Sequence, residues 1–328
     1  MKNTTLFVLL LLSISLSAQK QMSLESPEFE AYFLDGKNIP KLTGQIVNVD
    51  PDTLAGLSLE FRFVSIQLDA EAIPTRVKPD SKGFFVAPLR HAFPYYRVWY
   101  ELKNEREICA GGVLLNDSLH LQLDFDSLTI QPKPTSRWGI TYSGPDALLN
   151  QMEDEYSNTL GKSFNTNKMI WSIIKAPHYQ RQEALVHYFE ERTLKEEPFL
   201  ESYPDQYRAF FESRRQADFY EGLNHLDEPK VSDELFAEYL AYEPLGMTYE
   251  SFVYYYYLFS FLQTCDKYQR VGRNEISPLR QDLRMFRYIH LSEPDRAAQY
   301  QKCIPKIQTK WLRHYAETEL AWLESLSN

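Results

Sequence analysis

Seven histidines and three cysteines are the side chains of this chain best suited to metal binding or nucleophilic chemistry. The histidines are His91, His120, His178, His187, His225, His290 and His314, and none stands in a His-Glu-x-x-His arrangement. His187 and Glu191 are one helical turn apart, which supplies half of a metal site; a metal needs further ligands, and such pairs are ordinary on helix surfaces. Cys109, Cys265 and Cys303 form no Cys-x-x-Cys pair; Cys265 and Cys303 both fall in a helical region and are the candidate disulfide, with three small buried thiols as the alternative. There is no Gly-x-Ser-x-Gly elbow, phosphate loop or dinucleotide fingerprint, so no cofactor is expected. Carboxylates are plentiful, as in Glu153, Asp154 and Glu155, and a facing pair could hydrolyse a glycan, but a solvated helix face accounts for them more simply. The sequence therefore assigns no catalytic residue.

The aromatic content, with 22 Tyr and 20 Phe, points instead to binding. Tyr254, Tyr255, Tyr256 and Tyr257 are consecutive, and on a helix they point in four directions about 100° apart, so some must face a groove or solvent. Tyrosine suits a boundary that is dry on one side and wet on the other, so these four, with Trp99 and Tyr100, form the candidate binding surface. A wide helix–helix or sheet contact is the structural alternative for the same residues.

The elements that must position these groups change period along the chain. From Lys41 to about Ile140 the pattern is β. Leu57–Phe63 alternates apolar and polar, then slips phase at Val64 as a bulge would. Asp80–Gly83 is a turn into Phe84–Val86. Tyr95–Leu102 is strand-prone, Ala110-Gly-Gly112 interrupts the chain before Val113–Leu115, and Leu119–Phe125 alternates again. These strands predict an antiparallel sandwich or barrel with one wet face per sheet. From Gly144 the period is helical. It predicts helices over 146–156, 180–194, 205–219, 234–242, 249–268, 278–290 and 295–326, the last broken at Pro305. The fold class is α+β, with a β domain over 41–143 followed by an irregular α-helical domain over 144–328.

Two segments carry a resemblance: Ser81-Lys-Gly-Phe-Phe85, entering a strand, and Ile140-Thr-Tyr-Ser-Gly-Pro-Asp-Ala-Leu-Leu-Asn150, leaving the last one. They resemble the N-terminal, non-thioredoxin region of exported thiol-disulfide reductases of the TlpA/ResA type in Gram-negative bacteria. In that family Gly144, Ala147 and Asn150 fall where a transition motif wants them, and the resemblance implies structural roles for them. The family's redox domain carries a Cys-x-x-Cys pair that this chain lacks. The resemblance therefore implies scaffold and compartment, not disulfide reduction.

The first residues set that compartment. Lys2, an apolar run from Leu6 to Leu12, and Ser-Leu-Ser-Ala18 have the order of a secretory signal peptide over 1–18, followed by an exported linker over 19–40. The run is too short to span a bilayer, which needs roughly 20 apolar residues, and no Cys is near for lipid attachment. A net charge of −10 argues against nucleic acid and shows no polybasic run for anionic lipid. The expectation is an exported protein of the periplasm or cell envelope, without a transmembrane segment after cleavage. It would bind an envelope protein or other envelope component as a non-catalytic accessory module. The alternative is an envelope hydrolase using carboxylates or a His-bound metal in the helical domain.

Overall fold

Alternation in the first half resolves into two four-stranded sheets. In the computed structural model, residues 22–63, 74–130, 138–223, 277–286 and 293–326, with isolated positions 226, 238 and 241, are described. The first sheet has the order β4–β1–β7–β8, from Phe84–Val86, Lys41–Val47, Ser118–Asp124 and Ile140–Ser143. The second has the order β3–β2–β5–β6, from Thr75–Val77, Ser58–Phe63, Tyr96–Lys103 and Glu107–Leu115. Every second residue turns inward: Leu42 and Ile46, Leu119, Leu121 and Leu123 from one sheet, Leu59, Phe61, Val98, Tyr100 and Leu102 from the other, all buried. Phe61 meets Phe85 of the opposite sheet with ring centroids 6.1 Å apart. The fold is α+β, with two sheets rather than one closed barrel.

Three details differ from the sequence reading. First, β1 and β7 pair in parallel, from Lys41↔Ser118 to Val47↔Asp124, whereas the other pairs are antiparallel. The chain traverses the whole second sheet between them, so no hairpin dictates their direction. Second, Ala110-Gly-Gly112 does not interrupt a strand. β6 runs through it, because a Cβ on Gly112 would lie 3.0 Å from Cδ1 of Trp99 on the paired strand; the glycine makes room for the indole. Third, short helices intervene at α1 (Pro27–Leu34), inside the expected linker, and at α2 (Pro51–Gly56) and α3 (Phe125–Ile130), inside the β region. The phase slip expected at Val64 lies outside the described residues; a register shift is found instead between Leu102 and Lys103.

Helices dominate after Ser143: α4 (Ala147–Thr159), α5 (Thr166–Lys175), α6 (Arg181–Leu200), α7 (Asp205–Leu223), α8 (Pro278–Phe286), α9 (Glu293–Cys303) and α10 (Lys310–Leu326). Pro305 separates α9 from α10 within a short 3-10 turn, as its missing N–H requires. The segment 249–268 lies outside the described residues, as does 234–242 apart from two isolated positions. Compact units do not follow the strand-to-helix change. One comprises residues 30–158 with 247–328, uniting the sheets with the C-terminal helices; the other comprises 1–29 with 159–246.

The junction after β8 is built by the residues that carried the resemblance. Gly144 has φ +97°, a left-handed conformation that turns the chain out of the strand. Asp146 accepts hydrogen bonds from the backbone N–H of Asn116 (2.9 Å) and Asp117 (2.8 Å), holding the β6–β7 turn. Asn150, one helical turn on, pairs with the edge of β6. Its Oδ1 accepts from Leu114 N–H at 2.8 Å and its Nδ2 donates to Leu114 O at 2.8 Å. The Asn150–Leu114 pair is buried, so an Asn150→Ala protein leaves a donor and an acceptor of Leu114 without partners. Urea denaturation should report a loss of about 2–4 kcal/mol; an unchanged midpoint and slope would show that this pairing is dispensable.

Candidate functional site

Within the sheet-containing unit, Arg90, His91 and Glu319 form one polar cluster. Arg90 and His91 lie in the segment between β4 and β5, and Glu319 lies on the buried face of α10 with Trp311, Leu312, Tyr315 and Leu323. Packing of that face brings His91 Nε2 to 2.7 Å from Glu319 Oε1, and Arg90 Nε donates to the same oxygen at 3.1 Å. An ionised carboxylate only accepts, so His91 carries its hydrogen on Nε2. Aromatic rings close around the pair. The His91 ring is 4.4 Å from Tyr315 and 6.1 Å from Phe33, and Phe33 in turn meets Phe93 and Trp311. The Arg90 guanidinium sits 4.0 Å over Trp322 and 5.4 Å over Phe63.

Electrostatics follow from this enclosure. Burial pushes the His91 pKa down and keeps the ring neutral, against the opposing pull of Glu319. Burial pushes Glu319 up, but the His91 hydrogen bond and the nearby positive charges outweigh it and hold the carboxyl below its usual range. Tyr315 and Tyr96 are raised, chiefly by burial. A histidine–carboxylate pair is half of a base dyad, but a base must reach its substrate, and His91 is 3 % exposed. The arrangement acts as a strut between sheet and C-terminal helix.

A second charged array lines the outer face of the β3–β2–β5 strands. Glu60 receives Arg76 at 2.5 Å and Lys103 at 2.8 Å; Lys103 also reaches Glu101 at 2.6 Å, and Arg62 closes the row on Glu101. Glu60 and Glu101 are cross-strand neighbours, and like charges so placed repel unless cations intervene. Hydrogen bonds from Lys103 and Arg76 lower the Glu60 pKa; for Glu101, hydrogen bonds from Lys103 and Arg62 overcome the upward push of burial. In the other unit, Arg192 donates to Glu196 at 2.5 Å and to Asp218 at 2.7 Å, and Arg215 reaches Glu196 at 3.1 Å, linking α6 to α7.

The residues singled out in the sequence do not converge. Trp99 and Tyr100 are strand neighbours and face opposite ways: Trp99 is half-buried over Gly112, while Tyr100 is 1 % exposed and belongs to the core. Tyr100 is thus withdrawn from any surface by strand alternation. Tyr254–Tyr257 and Cys265 lie outside the described residues. Cys303 is a free, half-buried thiol with its pKa raised, chiefly by burial, and Cys109 is buried in the core. His187 is exposed, 3.8 Å from Glu190, while Glu191 pairs with Lys195. Among the described residues, no group of three or more His, Cys, Asp or Glu side chains is arranged to hold a metal. Comparison with protein-family models, curated proteins and solved structures returned no match. The sequence reading missed the pairing of His91 with Glu319, since 228 residues separate them and nothing local marks either.

Both members of that pair make stability fall with acid. The folded His91 pKa lies below its ordinary 6.5, so the unfolded chain binds the proton first; stability is whole above 6.5 and declines as pH drops below it. Glu319 is depressed below 4.5, so its contribution is present above that value and is lost as pH falls through the lower folded pKa. Urea unfolding between pH 7 and 5 should lose stability by up to about 1.4 kcal/mol per pH unit through His91. His91→Gln should flatten that slope; an equal slope in the variant would remove His91 from the account.

Proposed function

We propose that this chain is an exported, non-catalytic protein of the periplasm or cell envelope that works by binding an envelope component. It is an accessory module built like the N-terminal region of the TlpA/ResA-type reductases. One observation carries the reading: the helical unit holds large apolar side chains in solvent. Trp171 is 60 % exposed, Ile174 52 % and Tyr179 83 %, all within nine residues. Exposed apolar clusters of this kind mark surfaces that bind. The strongest polar clusters, around Glu319 and Glu196, are instead spent inside the fold on each other. The residues of the resemblance have structural partners, consistent with a scaffold module.

Tagged protein beginning at Gln19, retained with envelope extract, tests this by mass spectrometry of captured protein and lipid. A component enriched over a tagged exported control, lost with Trp171→Ser/Ile174→Ser and kept with Cys303→Ser, is expected. Enrichment of nothing, or thiol-dependent turnover of insulin that disappears with Cys303→Ser, would overturn the reading.

A further inference from the structure

The exposed apolar residues of the helical unit sit on a basic background within an acidic chain. No Asp or Glu occurs between Glu155 and Glu183, whereas Lys162, Lys168, Lys175 and Arg181 do. α5 spans the centre of this stretch. Asn165 caps it, its Oδ1 accepting from Lys168 N–H at 3.0 Å, and Met169 and Ile173 are its buried contacts. At about 100° per residue, Ile174, Asn167, Trp171, Lys175 and Lys168 fall on one arc of about 120°, opposite Met169 and Ile173. All five are exposed, as is Lys162 before the helix. Lys175 Nζ is 6.0 Å from the Trp171 ring, so cation and indole stand side by side on that arc. Beyond Pro177, Tyr179 is exposed in the short 3-10 turn that follows the helix. Ion pairs of this unit stand on α6 and α7: Lys195 with Glu191, Arg208 with Glu212, Arg192 with Glu196.

We propose that this face of α5, with Tyr179, docks the protein on the surface of an anionic phospholipid bilayer. The inference rests on the binding reading above and names its partner. Trp and Tyr favour the headgroup region, where one edge of the ring is dry and the other wet, and Lys stems reach upward to phosphate while their methylenes stay in apolar surroundings. Ile174 adds an aliphatic anchor. The lysines complement lipid phosphate, which a neutral protein groove would not reward. None of the helices among the described residues is long and apolar enough to cross a membrane; docking of this kind lies in the interface.

Vesicle co-sedimentation tests the proposal with protein beginning at Gln19, which removes an apolar leader that would itself bind lipid. Vesicles of phosphatidylcholine with about a third phosphatidylglycerol should pellet the protein, pure phosphatidylcholine should not, and added salt should release it. Lys168→Gln/Lys175→Gln should weaken partition by about thirtyfold at low ionic strength, from roughly fivefold per lysine near a charged surface. Trp171→Ser/Ile174→Ser should weaken it at least about tenfold. Both variants change only exposed side chains, and unaltered urea midpoints confirm that they fold. Equal partition onto both vesicle types, no partition, or partition indifferent to both variants would overturn the lipid proposal. Failure on vesicles with capture from envelope extract retained would remove lipid alone; failure of both would remove the binding reading as well.

Discussion

A sheet edge packed under a helix must find partners for its outward backbone groups, and β6 finds them in side chains of the helix that covers it. Asn150 offers an acceptor and a donor 2.8 Å from Leu114 N–H and O, copying the pairing that another strand would give. Asp146 holds the turn next to it through two backbone N–H groups. Together they fix where α4 starts and how it lies on the sheet. An amide serves at Asn150 because it donates and accepts at once; a carboxylate serves at Asp146 because both partners are donors. The two residues are not interchangeable, which explains why two similar side chains, four apart, do different work. At Leu114 the edge of β6 is thereby paired without an extra strand.

Each unit also buries ions, and the reason differs from that for an apolar core. Removing Glu319 or Glu196 from water costs several kcal/mol before any partner is counted. His91 and Arg90 offset that cost for Glu319, and Arg192 and Arg215 for Glu196. Apolar residues of equal volume could fill the same space at less electrostatic cost, so stability is a weak account of the ions. Their stronger effect is on register. Tyr315, Trp311 and Leu312 would tolerate a shift of α10 along its apolar neighbours, but Glu319 meets His91 in one position only. The depressed His91 pKa is the cost of that arrangement, expressed as acid sensitivity.

Local chemistry was readable from the sequence and distant pairing was not. Alternation over Leu57–Phe63 and Leu119–Phe125 placed strands to within a residue at each end, and Pro305 marked the break between α9 and α10, because both signals reside in neighbouring residues. The parallel pairing of β1 with β7 depends on residues 77 positions apart, and no period along either strand encodes direction. Gly111 and Gly112 read as a breaker because a glycine pair usually is one; the large neighbour that needs the gap, Trp99, sits on another strand. α5 escaped notice although its signals are present: Asn165 as cap, then Met169 and Ile173 one turn apart. Only two inward residues define its period, too few to stand out in a ten-residue segment. Of the candidate surface, the structure describes Trp99 and Tyr100, and the pleat separates the two.

The whole-chain charge does not describe the stretch around α5. A net −10 predicts repulsion from an anionic surface only if the surface feels the whole chain. At physiological ionic strength the Debye length is about 8 Å, so a bilayer senses chiefly the charges brought within one or two side-chain lengths of it. On α5 those charges are Lys168 and Lys175, with no carboxylate for twelve residues before Lys168 or seven after Lys175. Segregated charge can therefore select one face for contact with an anionic surface, which a uniform charge cannot do. On the lipid proposal the apolar arc would supply the remaining free energy, since Trp171 and Ile174 are exposed and would lose water-exposed area only with that one face engaged.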